Sequence, residues 1–148
     1  MKNASFSSYL LVALAAAAAS SAGTLVTVHS GSAAHAAETP AANVALMTQA
    51  LPDLPGREVR ITLLERGPLA ASAPHHHPGH YTFGYVAEGT YEFGINGQPP
   101  RTLHAGEVFY EPPGAVHSTS RNPSPDKPLK IVVFMVADQK NPSTVNEK

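Results

Sequence analysis

The sequence contains no cysteine. This absence excludes disulfide bonds, a lipid-modified N-terminal cysteine and thiolate metal ligands. If the protein is exported, its stability must therefore come from packing, metal binding or oligomerisation. Charge is also sparse, with 10 basic and 11 acidic side chains among 148 residues. Because the sequence shows no basic patch, we do not expect nucleic acid to be a partner.

The N-terminus has the features of an export signal. Lys2 is followed by an apolar run over residues 9–19 and then by a stretch of small residues. A basic start, a short apolar segment and an A-x-A site predict a signal peptide over residues 1–36, and therefore a periplasmic or secreted protein that leaves the membrane after cleavage. Cleavage after Ala36 is preferred, and cleavage after Ala22 is the alternative. A membrane anchor is the competing interpretation, although the apolar run is shorter than the about 20 residues that a span needs.

Sustained helical periodicity is missing after residue 56, and short β-prone runs take its place. Glycine, proline and asparagine separate these runs, which cover residues 58–65, 81–89, 90–97, 106–114 and 129–138. Asn96 and Gly97 predict a tight turn. The continuously apolar segment 131–136 predicts a central strand that is covered on both faces. The pattern is typical of an all-β sandwich or barrel.

The length of the chain predicts one domain, which we place at residues 58–138. Residues 37–57 are rich in alanine and proline. We expect them to form an N-terminal arm that either contains a short helix or lies against a partner. Residues 139–148 are polar, and we expect them to be a frayed C-terminal tail.

Four of the eight histidines lie between positions 75 and 80. On a helix the rings of His75 and His77 would point away from each other, whereas on a strand both project from one face with backbones about 6.6 Å apart. Rings at that separation can lean onto one ion with bonds of about 2.1 Å. The alternation therefore predicts half of a metal site on a strand, with His76 pointing the other way. The later histidines are His117 and His104, of which the second lies in a polar turn and is expected at the surface.

The segments around these histidines resemble the two motifs of the cupin family. The second motif is matched in spacing by Gly106, Pro112, Gly114 and His117, and the first by His75, His77 and Gly89. The resemblance covers residues 58–136. It implies an all-β fold, the double-stranded β-helix (jelly-roll) cupin barrel. It also implies that His117 joins His75 and His77 as a metal ligand.

Two positions depart from the family's pattern. Thr82 stands where the cupin metal site has a glutamate, and Arg121 stands where the second motif ends in asparagine, which follows one residue later as Asn122. A threonine hydroxyl is a poor, neutral ligand compared with a carboxylate. His80 shares strand parity with His77 and Thr82, so it is a candidate fourth ligand, although the bend expected at HPGH can also carry it away.

Three neutral imidazoles leave a bound ion with its full charge and two or three open positions. Nitrogen ligands suit Fe, Zn, Cu or Ni, so we expect one divalent transition metal ion of this group. With Fe or Cu, the resemblance to three-histidine cupin dioxygenases implies an oxidoreductase that acts on a small organic molecule. With Zn, the ion would activate water, but no carboxylate is evidently placed as a general base. The alternative is a non-catalytic module that binds or senses a small molecule, so the pattern leaves open whether the protein is an enzyme.

Strand parity assigns two faces to the segment after His80. Thr82, Gly84 and Val86 share a face with His77 and are expected to line the pocket. Tyr81, Phe83 and Tyr85 lie on the opposite face. A second alternating set consists of Tyr91, Phe93 and Ile95, and we expect it on that outer face too.

An apolar patch of this size is more than a soluble monomer normally leaves exposed. We therefore expect a homodimer that packs sheet against sheet, which would also stabilise a small core. The alternative is that loops or the N-terminal arm cover the patch within one chain.

Overall fold

The computed structural model describes residues 42–148, and the predicted signal peptide and the start of the arm lie outside this range. The described residues form ten strands and no helix, which confirms the all-β prediction. The strands are β1 Ala42–Ala50, β2 Arg57–Arg66, β3 His75–His76, β4 Tyr81–Glu88, β5 Thr90–Ile95, β6 Arg101–His104, β7 Val108–Glu111, β8 Val116–Arg121, β9 Leu129–Asp138 and β10 Val145–Asn146. Over the same range, no helix exists that is long and apolar enough to span a membrane.

The strands form two five-stranded antiparallel sheets. The first sheet has the order β1-β2-β9-β4-β7 and the second the order β10-β3-β8-β5-β6. One hydrophobic core contains side chains from both sheets, among them Val86, Phe109 and Ile131 of the first and Tyr91 and Leu103 of the second. Burial alternates along β4 and β9, as expected when one face of a sheet turns to the core. The two sheets therefore pack face to face.

The five β-prone runs of the sequence correspond to β2, β4, β5, β7 and β9. The turn after β5 is also present: Asn96 and Gly97 have φ values of 53° and 69°, and the Gln98 amide donates to the Ile95 carbonyl at 3.0 Å. Both φ values are left-handed, as a type I′ turn requires.

Residues 42–50 do not form the short helix that was one of the two expectations for the arm. They form β1, an edge strand that pairs with β2 along its whole length. The open edge of β2 presents a row of backbone donors and acceptors, and pairing with them outweighs the local composition of the arm.

Strand β9 is central in its sheet, as predicted, but it is not covered on both faces. It pairs with β2 on one side and β4 on the other. Ile131, Val133 and Met135 face the core, whereas Phe134 is 37% exposed on the outer face. The continuous apolar run therefore reflects one core face and one apolar outer face.

The second alternating aromatic set lies inside the protein, in contrast to the expectation that it extends the outer patch. Tyr91 and Phe93 are only 3% and 4% exposed and belong to the core. Strand β5 lies in the second sheet, whereas β4 lies in the first. Gly89, with φ of 83°, connects the two strands. The chain changes sheets at this glycine, so the parity of β4 does not carry over to β5.

The polar composition of the C-terminal segment predicts a frayed tail, but part of the segment forms a paired strand. Strand β10 pairs with β3, which places Val145 opposite His76. The guanidinium of Arg60 donates to the carbonyl of Asn141 at 3.1 Å and to Ser143 Oγ at 3.0 Å. These contacts place residues 139–148 against the histidine-bearing strand.

Gly84 leaves space inside the first sheet, and the ring of Phe109 occupies that space. A Cβ at position 84 would lie 2.0 Å from Phe109 Cζ. The glycine is therefore required for close packing between β4 and β7 rather than for a ligand.

We expect Gly84→Ala to lower the free energy of unfolding by about 1–3 kcal/mol, because the added methyl overlaps the Phe109 ring. The double variant Gly84→Ala/Phe109→Leu should lose less stability than the two single losses combined, since leucine vacates the contested space. Urea denaturation of the four proteins measures this coupling. Strictly additive losses would show that the ring does not limit position 84.

Candidate metal centre

Backbone pairing brings two distant histidines together. Strand β3 pairs with β8 so that His75 lies directly opposite His117. The ring centroids of His75 lie 5.0 Å from His117 and 5.1 Å from His77. One side-chain nitrogen from each of the three rings lies within 4.8 Å of the others. The structure thus assembles the three histidines that the sequence singles out.

Hydrogen bonds to the backbone orient the first two rings. His75 Nδ1 lies 2.7 Å from the Ala73 carbonyl, and His77 Nδ1 lies 2.5 Å from the Ser143 carbonyl. A carbonyl accepts only, so Nδ1 carries the proton in each ring. The Nε2 lone pairs of both rings are then available to a ligand. The C-terminal segment therefore determines the tautomer of His77.

The third ring belongs to a buried polar chain. His117 Nε2 lies 3.1 Å from the Tyr91 hydroxyl, and this hydroxyl lies 2.9 Å from Ser120 Oγ. When His117 carries its proton on Nε2, it donates to Tyr91 and Tyr91 donates to Ser120. In this tautomer the Nδ1 lone pair remains free.

Two histidines of the site, His77 and His117, are neutral near pH 7. Burial lowers the pKa of His77 to about 4 and that of His117 to about 3. Neighbouring histidines lower both pKa values further, since two positive rings so close repel each other. Neutral imidazole is the form that binds metal ions, and it is also the form that burial favours here.

The structure adds a carboxylate that sequence reasoning missed. Glu111, at the end of β7, is only 2% exposed. Its Oε1 lies 3.4 Å from His117 Nδ1 and its Oε2 lies 3.7 Å from His77 Nε2. Burial raises the pKa of Glu111 to about 7. A usable signal was present in the sequence: Glu111 shares strand parity with the core residue Phe109 and directly precedes the proline turn before His117.

Thr82 lies across from this carboxylate. The two residues are direct partners in the pairing of β4 with β7. Thr82 is 1% exposed. Thr82 Oγ1 and Glu111 Oε2 are the buried side-chain polar atoms without a hydrogen-bond partner among the described residues. A buried polar atom without a hydrogen-bond partner lowers the stability of a protein. Two such atoms on directly paired residues therefore indicate a binding site for an ion or a ligand.

His80 does not lie with the three rings. Its Nδ1 accepts from the Asp138 amide at 3.1 Å, and its Nε2 donates to the Pro142 carbonyl at 2.9 Å. Both nitrogens are thus used by the backbone, which leaves no lone pair for an ion, and we leave His80 out of the site. His76 points the other way, as expected, and contacts Glu147 at 2.6 Å. His104 is exposed.

A cavity of about 350 Å³ lies beside the histidines. Its walls include Thr82 and Glu111, the apolar residues Leu64, Phe109, Val133 and Met135, and the hydroxyls of Tyr91 and Ser120. Of the three positions expected to line the pocket, Thr82 does so. Val86 is fully buried in the core instead, and the space at Gly84 is filled by Phe109.

Asn122 is the asparagine that stands one residue later than in the cupin motif. It is fully buried. Its Nδ2 donates to the carbonyls of Gly67 and Lys127 at 3.0 and 2.8 Å, and its Oδ1 accepts from the Ser124 amide. The side chain therefore connects the loop after β2 with the loop between β8 and β9, and it takes no part in the site.

The sequence profile of the family described as "Cupin domain" matches residues 62–135, half of the chain. The chain belongs to the cupin family. Its two facing antiparallel sheets are the double-stranded β-helix of that family, so the fold implied by the histidine motifs is confirmed.

Individual cupins share part of this chain. Germin-like protein 3-2 from Oryza sativa subsp. japonica is 35% identical over 94 residues, which are 61% of this chain and 42% of that protein. A recombinant oxalate oxidase solved with glycolate is 25% identical, with a TM-score of 0.55 over 73% of this chain and 56% of the other. A DMSP lyase from Ruegeria pomeroyi shares the fold, with 23% identity and a TM-score of 0.58 over 72% of this chain and 51% of the other. The chain thus spans about half the length of these proteins.

We expect His80→Ala to lower the free energy of unfolding by about 2–4 kcal/mol, because it leaves the Asp138 amide and the Pro142 carbonyl unpaired around a cavity. Urea denaturation followed by circular dichroism measures the loss. The control is His104→Ala, an exposed change that should alter stability by no more than about 0.5 kcal/mol. Equal stability of both variants would show that His80 does not secure the C-terminal segment.

The same residue should affect the pH dependence of the metal-free protein. Burial lowers the pKa of His80 below the 6.5 of a free histidine, and His77 and His117 are shifted in the same direction. The unfolded chain then binds more protons, so stability present above about pH 6.5 is lost as the pH falls below it. Glu111 acts in the opposite direction, because burial raises its pKa to about 7, but three histidines outweigh one carboxyl group. We therefore expect stability to decrease from pH 7 to pH 5, and less steeply in His80→Ala. An identical slope in both proteins would contradict this assignment.

Proposed function

We propose that the protein is an exported, metal-binding cupin that acts as a dioxygenase-type oxidoreductase on a small organic molecule. The convergence of three imidazoles on the wall of a cavity carries this proposal. We infer that His75, His77 and His117 bind one divalent transition metal ion, chosen from Fe, Zn, Cu and Ni. The proposed export rests on the N-terminal sequence pattern alone.

The donor set fits such an ion. The Nδ1–H groups of His75 and His77 donate hydrogen bonds to backbone carbonyls. Such hydrogen bonds are the usual way in which proteins orient metal-binding imidazoles. The donor nitrogens lie within 4.8 Å of one another, and small ring rotations bring them to the roughly 3.4 Å that separates ligands around a tetrahedral ion. The unpaired oxygen atoms of Thr82 and Glu111 face the same region.

A redox-active ion would supply electron transfer between an organic substrate and dioxygen, and Zn would supply a Lewis acid. The side chains of the protein form the walls of the cavity in which a substrate would bind. Phe109, Val133 and Met135 form an apolar wall that excludes water, while Tyr91 and Ser120 offer hydroxyls for orientation. The cavity suits a molecule of modest size.

A carboxylate-bearing substrate is favoured by one observation. Arg66 is the one lysine or arginine that lines the cavity within residues 42–148. A guanidinium recognises carboxylates well. The similarity to an oxalate oxidase makes oxalate a substrate to test first, alongside phenols and thiols.

The second candidate function is binding or sensing without turnover. The enclosed cavity supports it as well as it supports catalysis, because a binding module needs the same apolar walls and few polar groups. A redox-inert ion in the purified protein, without dioxygen uptake, would favour this alternative.

We expect the protein purified from its exported fraction to contain close to one transition metal ion per chain. His75→Ala and His117→Ala should each remove most of this metal, since a site with two imidazoles binds weakly. Elemental analysis measures the content, and an oxygen electrode measures uptake with oxalate, phenols and thiols. His104→Ala is the matched control and should keep its metal. A folded wild-type protein that binds no added metal would overturn the proposal.

We also propose that the protein is a homodimer. The outer face of the first sheet exposes an apolar patch made of Tyr81, Phe83, Tyr85, Val108, Tyr110 and Phe134, each between 37% and 65% exposed. Phe83 stacks on Tyr110 with a centroid distance of 5.0 Å. The patch lies on β4, β7 and β9, whereas the N-terminal strand β1 pairs at the opposite edge of the sheet. A second copy is therefore the covering that we favour.

We expect light scattering to give the mass of a dimer at micromolar concentration. Phe83→Glu should shift it to the mass of a monomer, because a charge in the centre of the patch would be buried without a partner. Leu54→Glu is the matched control, since Leu54 is 53% exposed outside the patch. A wild-type monomer whose solubility Phe83→Glu leaves unchanged would remove the interface.

A further inference from the structure

We propose that Glu111 is a fourth ligand of the metal ion and that it supplies, from the neighbouring strand, the carboxylate that the cupin pattern places at position 82. This inference rests on the proposed function, because it assigns a residue to the same metal site. With Glu111 as a ligand, the donor set would consist of three imidazoles and one carboxylate, although Thr82 occupies the position of the family's glutamate.

The distances from Glu111 to two of the histidines, His77 and His117, are close to those of ligands that share an ion. Its oxygens lie 3.4 Å from His117 Nδ1 and 3.7 Å from His77 Nε2. Both distances exceed the about 2.7–3.2 Å of a hydrogen bond between nitrogen and oxygen. They approximate the roughly 3.4 Å between two ligands of a tetrahedral ion with bonds near 2.1 Å. The carboxylate thus stands beside two donor nitrogens without bonding to either.

The strand register explains how position 111 can replace position 82. Thr82 and Glu111 are direct partners across β4 and β7. Directly opposite residues of an antiparallel pair project to the same face, with Cβ atoms about 4.5–5.5 Å apart. A carboxylate can therefore reach one region of the cavity from either strand. The short Thr82 side chain leaves space for the glutamate.

The surroundings of Glu111 leave a place for a cation. The residue is 2% exposed, and its Oε2 has no hydrogen-bond partner in residues 42–148. Over those residues the basic side chains near its oxygens are His77 and His117, which are neutral near pH 7, and no lysine or arginine forms an ion pair with it. A buried carboxylate without a cation is strongly destabilising. An ion between Glu111 and the histidines would remove that penalty.

The test removes the carboxylate from position 111 and then places it at position 82. Glu111→Gln should weaken binding of Fe(II) and Mn(II) on the order of 10- to 100-fold, measured by anaerobic equilibrium dialysis, because the hard, anionic ligand is lost. The transposed variant Thr82→Glu/Glu111→Thr should recover most of the affinity, since it returns the carboxylate to the facing strand. Glu88→Gln, in an exposed ion pair with Lys130, is the matched control and should bind as the wild type does. Circular dichroism verifies that each variant is folded.

A second measurement needs no variant. Difference infrared spectroscopy of the wild-type protein, with and without bound Zn(II), should show the bands of a buried carboxyl group shift when the metal binds. Absence of any carboxylate change would overturn the inference, as would equal affinity of wild type and folded Glu111→Gln. In the latter case the three-histidine site stands. A wild-type protein that binds none of the metals overturns the proposed function together with this inference.

Discussion

The site depends on the pairing of one very short strand. Strand β3 comprises only His75 and His76, and it lies between β8 and β10. Pairing with β8 places His75 opposite His117, and pairing with β10 closes the other side. Two residues cannot form a stable strand alone. The positions of the histidines therefore depend on the two strands that pair with β3, one of which is the C-terminal strand β10.

The buried polar groups around the cavity lower the free energy of unfolding when no ion or ligand is bound. A carboxyl group and two imidazoles are removed from water there, and their pKa values shift toward the neutral forms for that reason. A core of apolar side chains between the sheets, together with Asn122 and His80, compensates for this cost elsewhere. Asn122 and His80, outside the cavity, are fully hydrogen-bonded, whereas the buried side-chain atoms without a partner in residues 42–148, Thr82 Oγ1 and Glu111 Oε2, belong to the cavity wall.

Membership in the cupin family accounts for the fold and the three histidines, but the carboxylate differs. The family pattern predicts a glutamate on β4, and this chain has Thr82 there and Glu111 on the adjacent strand. The cavity also combines apolar walls with Arg66. These features distinguish the cavity of this chain, and the fold alone does not specify them.

Local sequence patterns determined much of this protein. Short β-prone runs between turn residues predicted five strands, and the Asn96-Gly97 pair predicted its turn. The spacing of His75 and His77, together with the resemblance that added His117, identified the three histidines that the structure brings together. Only the tertiary structure decided that residues 42–50 form a strand, that His80 bonds to the backbone and that Glu111 reaches the histidines. The physical reason is that periodicity and turn chemistry describe one segment at a time, whereas these outcomes depend on how segments pair. Residues 42–50 become a strand by pairing with β2, His80 bonds to the distant residues Asp138 and Pro142, and Glu111 reaches His77 from another strand.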